Sequence, residues 1–147
     1  MRNARCKALI NGLLVAIAII STTLFCLKFK IIIVSGDSMD PSLKDGQIIL
    51  ASRDIDSIKI SDIVVFENSN ELCIKRVIAT QGDEIVLKDE GVFVNGVRVA
   101  EVSYNGEFKE YNIGEDELFV LGDNEKHSYD SRDYGPIKKE SIKCVYR

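Results

Sequence analysis

The chain carries no tryptophan, one histidine and two prolines in 147 residues. A single histidine, His127, leaves no set of imidazoles for a His-rich metal site and one candidate base for a Ser-His-Asp triad. The four cysteines stand at positions 6, 26, 73 and 144, too far apart for a CxxC metal or redox motif. P-loop, GxGxxG and HExxH patterns are all missing, so nucleotide-binding and zinc-protease readings lack their anchoring residues. A net charge of −4 argues against a nucleic-acid partner, which would call for a basic surface. With 46% apolar and 29% charged residues the chain is neither disordered nor collagen-like. There is no internal repeat, no low-complexity tract and no linker rich in Pro or Gly. The length suits one domain with a short appendage.

Charge is distributed unevenly. Residues 1–30 hold five Lys/Arg (Arg2, Arg5, Lys7, Lys28 and Lys30) and no acid, whereas residues 31–147 hold 14 Lys/Arg against 23 Asp/Glu. Residues 8–27 are uncharged; as a helix they would extend about 30 Å, the thickness of a bilayer core. A cleaved secretory signal fits less well, because the run is long and no Ala-X-Ala-like site follows it. A buried core helix would show a polar face, which this run lacks. The favoured reading is an uncleaved anchor, with residues 1–7 held in the cytoplasm by their cations, residues 8–27 in the membrane and residues 28–147 outside. Lys28 and Lys30 then sit on the far side, where they slightly blunt this orientation signal or, as the plainer alternative, snorkel at the interface. Cys73 and Cys144 would share the outer compartment, either paired or as two buried thiols. Cys6, beside the membrane, is an acylation candidate or an idle thiol.

The body reads as mainly β. Candidate strands are residues 31–34, 47–51, 62–66, 72–79, 84–87, 92–94, 97–100, 108–112, 118–121 and 142–146, a spacing that suggests an all-β barrel or sandwich. Asn95-Gly96 predicts a tight hairpin, since both residues tolerate positive φ. Gln81-Gly82-Asp83 and Tyr104-Asn105-Gly106 are further turns.

Two segments carry candidate chemistry. In SGDSMDPSL (residues 35–43), Gly36 permits close backbone approach and Pro41 stiffens the exit, which puts Ser38 on a sharp junction after an apolar strand. Serine needs a base to act as a nucleophile. In ELCIKRVIATQGD (residues 71–83), a strand places Cys73, Lys75 and Val77 on one face and Leu72, Ile74 and Arg76 on the other. Burial among apolar neighbours would lower the Lys75 pKa by up to roughly 3–5 and yield a neutral amine. The plain alternatives are an ordinary turn serine and a lysine snorkelling from an edge strand. His127 lies in the polar stretch GDNEKHSYDSRDYG (residues 122–135), where a solvated surface role is the expectation.

These residues resemble the bacterial type I signal peptidases, membrane-anchored serine proteases with a Ser-Lys dyad. Four boxes occur in the family's order: SGDSMDPSL, SDIVVF (residues 61–66), KRVIATQGD (residues 75–83) and GDNEKHSYDSRDYG. The resemblance implies a signal-peptidase/LexA-like β barrel-type catalytic domain. It implies Ser38 as nucleophile, followed by Met39, and Lys75 as general base. Ser128 would hydrogen-bond Lys75, and Asp130 would pair with Arg132 to brace the loop; the sequence alone equally allows a solvated charge cluster. No cofactor and no metal is implied. The substrates implied are secretory preproteins cut after Ala-X-Ala-like sites at the cell membrane. The chain departs from the family in three places: Ser61 stands where Gly usually opens the second box, Glu125 follows GDN where Arg is frequent, and Gly36 precedes the nucleophile by two, as in the Gram-positive-like form. Gly36 brings no hydroxyl to an oxyanion, which would rest mainly on the Ser38 N–H. Two rivals remain at this stage, a non-enzymatic anchored assembly or chaperone module with this fold, and a LexA-like self-cleaving protein.

Overall fold

The structure, a computed structural model of the chain, describes residues 2–100 and 108–147. An apolar N-terminal helix, α1 (Arg2–Lys28), precedes a β body. Within α1, Ile10–Lys28 has a mean hydropathy of 2.2, and none of it is buried against the body. Polar residues do not break this run. The hydroxyls of Thr22 and Thr23 donate to the carbonyls of Ala18 and Ile19, four residues back, at 2.9 and 2.8 Å, so neither needs water.

The strands, in chain order, are β1 (Phe29–Ile33), β2 (Ile48–Ser52), β3 (Ile63–Asn68), β4 (Glu71–Ala79), β5 (Glu84–Lys88), β6 (Gly91–Val94), β7 (Val97–Ala100), β8 (Lys109–Asn112), β9 (Glu117–Leu121), β10 (Ile137–Lys138) and β11 (Ile142–Tyr146). A seven-stranded sheet runs β1-β2-β11-β3-β4-β9-β10 and a four-stranded sheet runs β7-β6-β5-β8. The mainly β expectation and its strands hold to within a few residues. Elements not anticipated from the sequence are β10, the one-turn helix α2 (Ser131–Tyr134) and two short 3-10 turns, Glu125–His127 and Lys139–Ser141. The turn expected at Tyr104-Asn105-Gly106 lies outside the described residues.

Local chemistry explains the hairpins. Asn95 and Gly96 have φ of 51° and 79°, as the β6–β7 hairpin requires. Asn95 also ties the turn to β5, its side chain accepting from the Glu84 N–H at 2.9 Å and donating to Asp83 at 2.8 Å. Residues 63–66 of β3 are buried on both faces, which is why SDIVVF shows no alternation.

One irregularity of the large sheet matters for function. Strand β9 pairs with β4 only at Arg76, Val77 and Ala79, while β3 pairs with β4 from Glu71 to Arg76. The first half of β4 is therefore a free edge. Strand β1 is the edge of the same sheet. A cleft opens between these two edges.

Candidate active site

Ser38 sits in the turn that leaves β1. Gly36, at φ +87°, makes the bend, and its N–H donates to Asp45 Oδ1 at 2.8 Å. The next turn closes with the Asp40 N–H on the Asp37 carbonyl at 3.0 Å. Met39 is 1% exposed and packs with Val34, Leu43 and Val65, which pins the turn to the core. From the opposite side, Asn124 holds the carbonyls on both sides of the Ser38 Cα. Its backbone N–H donates to Ser38 O at 2.9 Å and its Nδ2 to Asp37 O at 3.1 Å. The Ser38 N–H has no partner among the described residues, which leaves it free for an oxyanion.

Lys75 projects from β4 on the same face as Cys73 and Val77 and is 5% exposed. Its Nζ donates to Ser38 Oγ at 2.7 Å. Burial holds its pKa below the ordinary lysine value, outweighing the opposing pull of Cys73 and Asp130. The two segments that the sequence singled out thus meet at one hydrogen bond. His127 stays outside this pair, its exposed ring 3.6 Å from Asp37 Oδ2.

A buried hydrogen-bond network lies in the loop of residues 122–135. Asp130 is fully buried, and its carboxylate accepts from five donors: the Gly122 N–H, Ser128 Oγ, and the backbone N–H, Nε and Nη2 of Arg132. The two guanidinium bonds, both 2.8 Å, form a fork on the carboxylate. Asp130 also caps α2 through a reciprocal capping box with Asp133. These residues are a buried network, not a solvated charge cluster. Ser128 departs from the expected contact with Lys75. Its hydroxyl donates to Asp130 Oδ2 at 2.7 Å, a charged acceptor that forms stronger bonds than a neutral one.

Three contributors escaped the sequence reading. Gly122 has no side chain because none fits; a Cβ there would lie 2.2 Å from Ser128 Oγ and 2.6 Å from Ser38 O. Asn124 clamps the turn that carries Ser38, as above. Arg76 forks onto Asp123 at 2.8 and 2.6 Å, and its Nη1 donates to Ser61 O at 2.8 Å, tying the second, third and fourth boxes together. The consecutive Lys75-Arg76 and Gly122-Asp123-Asn124 triplet were the available signals. The structure also places two departures from the family pattern. Ser61 has φ +77°, a backbone that suits glycine. Glu125 enters the network through its carbonyl, which accepts from Arg132 Nη2 at 3.0 Å.

The pair opens onto a cleft of about 420 Å³. One of its sides is the apolar core of Val34, Met39 and Val65, with Ile74 packed against it. Cys73 lines the cleft as a half-buried free thiol, and Cys144 is a buried one, so the two cysteines of the body are not joined.

A serine hydrogen-bonded to a desolvated lysine on a β scaffold defines a class, the serine peptidases that use an amine in place of histidine. The profile of the family described as "Signal peptidase, peptidase S26" matches residues 6–145. A signal peptidase I of Bacillus licheniformis is 32% identical, over 78% of this chain and 72% of the relative. Another, from Bacillus caldolyticus, is 34% identical, over 87% and 82%. Among solved structures, a signal peptidase I from Enterococcus faecalis V583 aligns with TM-score 0.50 and 26% identity, covering 62% of this chain and 97% of that one. The chain belongs to the signal peptidase family, peptidase S26.

Proposed function

We propose that this protein is a membrane-anchored serine endopeptidase that removes signal peptides from translocated preproteins, with Ser38 as nucleophile and Lys75 as general base. The observation that carries this reading is the 2.7 Å bond between Lys75 Nζ and Ser38 Oγ. When the amine loses its proton the bond reverses, and the Nζ lone pair accepts from the Ser38 hydroxyl. Ser38 Oγ then attacks the scissile carbonyl while Lys75 takes the proton. The oxyanion forms against the Ser38 N–H. Lys75 returns the proton to the departing amine, leaving an acyl-enzyme and a neutral lysine. That lysine next takes a proton from water as it attacks the ester, and gives it back to Ser38 on release. Asp130, Ser128 and Arg132 hold the loop behind Lys75, and Met39 and Gly36 fix the turn that carries Ser38.

The preprotein segment enters as an extended strand between the free edges of β1 and β4, so that backbone hydrogen bonds supply affinity and side-chain pockets supply selectivity. Small residues at Ala-X-Ala-like sites suit the shallow apolar side of the cleft. Helix α1 spans the cell membrane with residues 1–7 in the cytoplasm, which puts the catalytic domain, residues 28–147, on the extracytoplasmic side, where translocated signal peptides end. The binding-module and self-cleaving alternatives lack support from any of the relatives.

The test is processing of a model preprotein by purified full-length protein in detergent or vesicles. Ser38→Ala and Lys75→Ala are each expected to abolish cleavage with unchanged far-UV circular dichroism, while His127→Ala stays near the parent rate. Turnover retained by either dyad variant refutes the assignment.

A further inference from the structure

The two sides of the cleft differ. On one, Val34, Met39 and Ile74 belong to a single buried core. On the other, Cys73 and Tyr134 both pack against a second core cluster, and Tyr129 stands 68% exposed at the opening. An exposed aromatic side chain is usually free to move, but this one is held. Its ring meets Tyr134 edge-on, with centroids 5.4 Å apart and planes at 68°. Its neighbours in sequence are Ser128 and the fully buried Asp130, themselves joined at 2.7 Å. Most of the Tyr129 ring thus faces outward over the cleft on a rigid mount. Neither nucleophile nor base uses it.

A strand laid between β1 and β4 presents alternate residues to these two sides. If the residues that must be small face Val34, Met39 and Ile74, the one between them points to the side of Cys73 and Tyr129. We infer that Tyr129 is a specificity-determining residue that packs against the middle side chain, X, of an Ala-X-Ala-like cleavage site and favours a large apolar or aromatic X. This rests on the peptidase reading above. It predicts selection at a position that the apolar pockets themselves leave open. A contact with one aromatic ring is worth roughly three- to tenfold in kcat/KM, chiefly through KM.

The experiment uses the full-length protein and four preproteins identical except for X, which is Gly, Ser, Leu or Phe. The parent protein is expected to cleave the Leu and Phe substrates with kcat/KM at least threefold above the Gly and Ser ones. In Tyr129→Ser and in Tyr129→Lys the four values converge to within twofold, and Tyr129→Phe keeps the parent ranking. Equal values for the four substrates with the parent protein, or an unchanged ranking in Tyr129→Ser or Tyr129→Lys, overturns the assignment while the peptidase reading stands. Loss of the ranking in Tyr129→Phe also overturns it, since the ring would remain. A parent protein that cuts none of the four overturns both readings.

Discussion

At the scale of single residues, the chemistry proposed here depends on how Lys75 is charged. Its pKa lies below the ordinary lysine value because the amine is buried, and only the neutral form can accept the Ser38 proton. Activity is therefore expected to rise with pH along a limb set by this lowered pKa, and a kcat/KM profile that stays flat from alkaline to clearly acid pH contradicts an amine base. The same shift affects stability with a defined sign. Between the lowered folded value and the ordinary unfolded one, the folded state binds fewer protons than the unfolded chain, so stability rises with pH across that window. Lys75→Met removes this dependence, which denaturant titrations at several pH values will register. Ser61 offers an independent check. Its positive φ costs about 1 kcal/mol that glycine avoids, and Ser61→Gly is expected to raise stability by up to about 1 kcal/mol in urea unfolding. Gly122→Ala acts in the opposite way, forcing Ser128 or the Ser38 carbonyl aside; a displacement of about 1 Å can cost roughly 100-fold in rate, measurable as a drop in kcat. Ser38 and Lys75 were legible in the sequence because their boxes are specific. Gly122 and Asn124 were not, because a missing Cβ and a clamp on backbone carbonyls become visible only when distant segments meet.

At the scale of elements, the loop of residues 122–135 owes its shape to α2 and its cap. A four-residue helix has too few hydrogen bonds to stand alone. The capping box and the buried Asp130–Arg132 fork sustain it, and the same carboxylate anchors Gly122 and Ser128. Arg132→Met leaves a buried carboxylate without its counter-ion and is expected to destabilise the fold by about 3–5 kcal/mol, read as a lowered melting temperature together with lost activity. This helix was hidden in the sequence because DSRDYG reads as a polar turn until Asp130 is known to be buried. The β3–β4 hairpin was obscure for a related reason. Its turn residues Ser69 and Asn70 both have positive φ, yet Ser-Asn is a weak turn signal beside Asn-Gly. The long strands were plain from their β-branched runs, and the alternation along β4 correctly put Lys75 on the face of Cys73 and Val77.

At the scale of the whole molecule, the sequence separated an apolar helix from an acidic β body, but it did not show how directly the two are joined. Helix α1 ends at Lys28 and β1 begins at Phe29, with no loop between them. The Lys28 carbonyl already accepts from the Arg53 N–H at 2.8 Å, extending the β1–β2 pairing to the helix end. On the outer face of that hairpin Ile31 is paired with Leu50 and Ile33 with Ile48, all four exposed. Ile31→Asp with Ile48→Asp is expected to leave hydrolysis of a short soluble peptide near the parent rate and to lower processing of a preprotein embedded in vesicles; equal rates on both would show that this face has no part in reaching the substrate. On the anchored reading proposed above, ten residues of chain separate the end of the membrane helix from Ser38, at most about 36 Å when fully extended. On that reading the anchor acts as a ruler that keeps Ser38 near the bilayer surface, and enzyme and membrane-held substrate meet by lateral diffusion in a plane instead of by a search through bulk water.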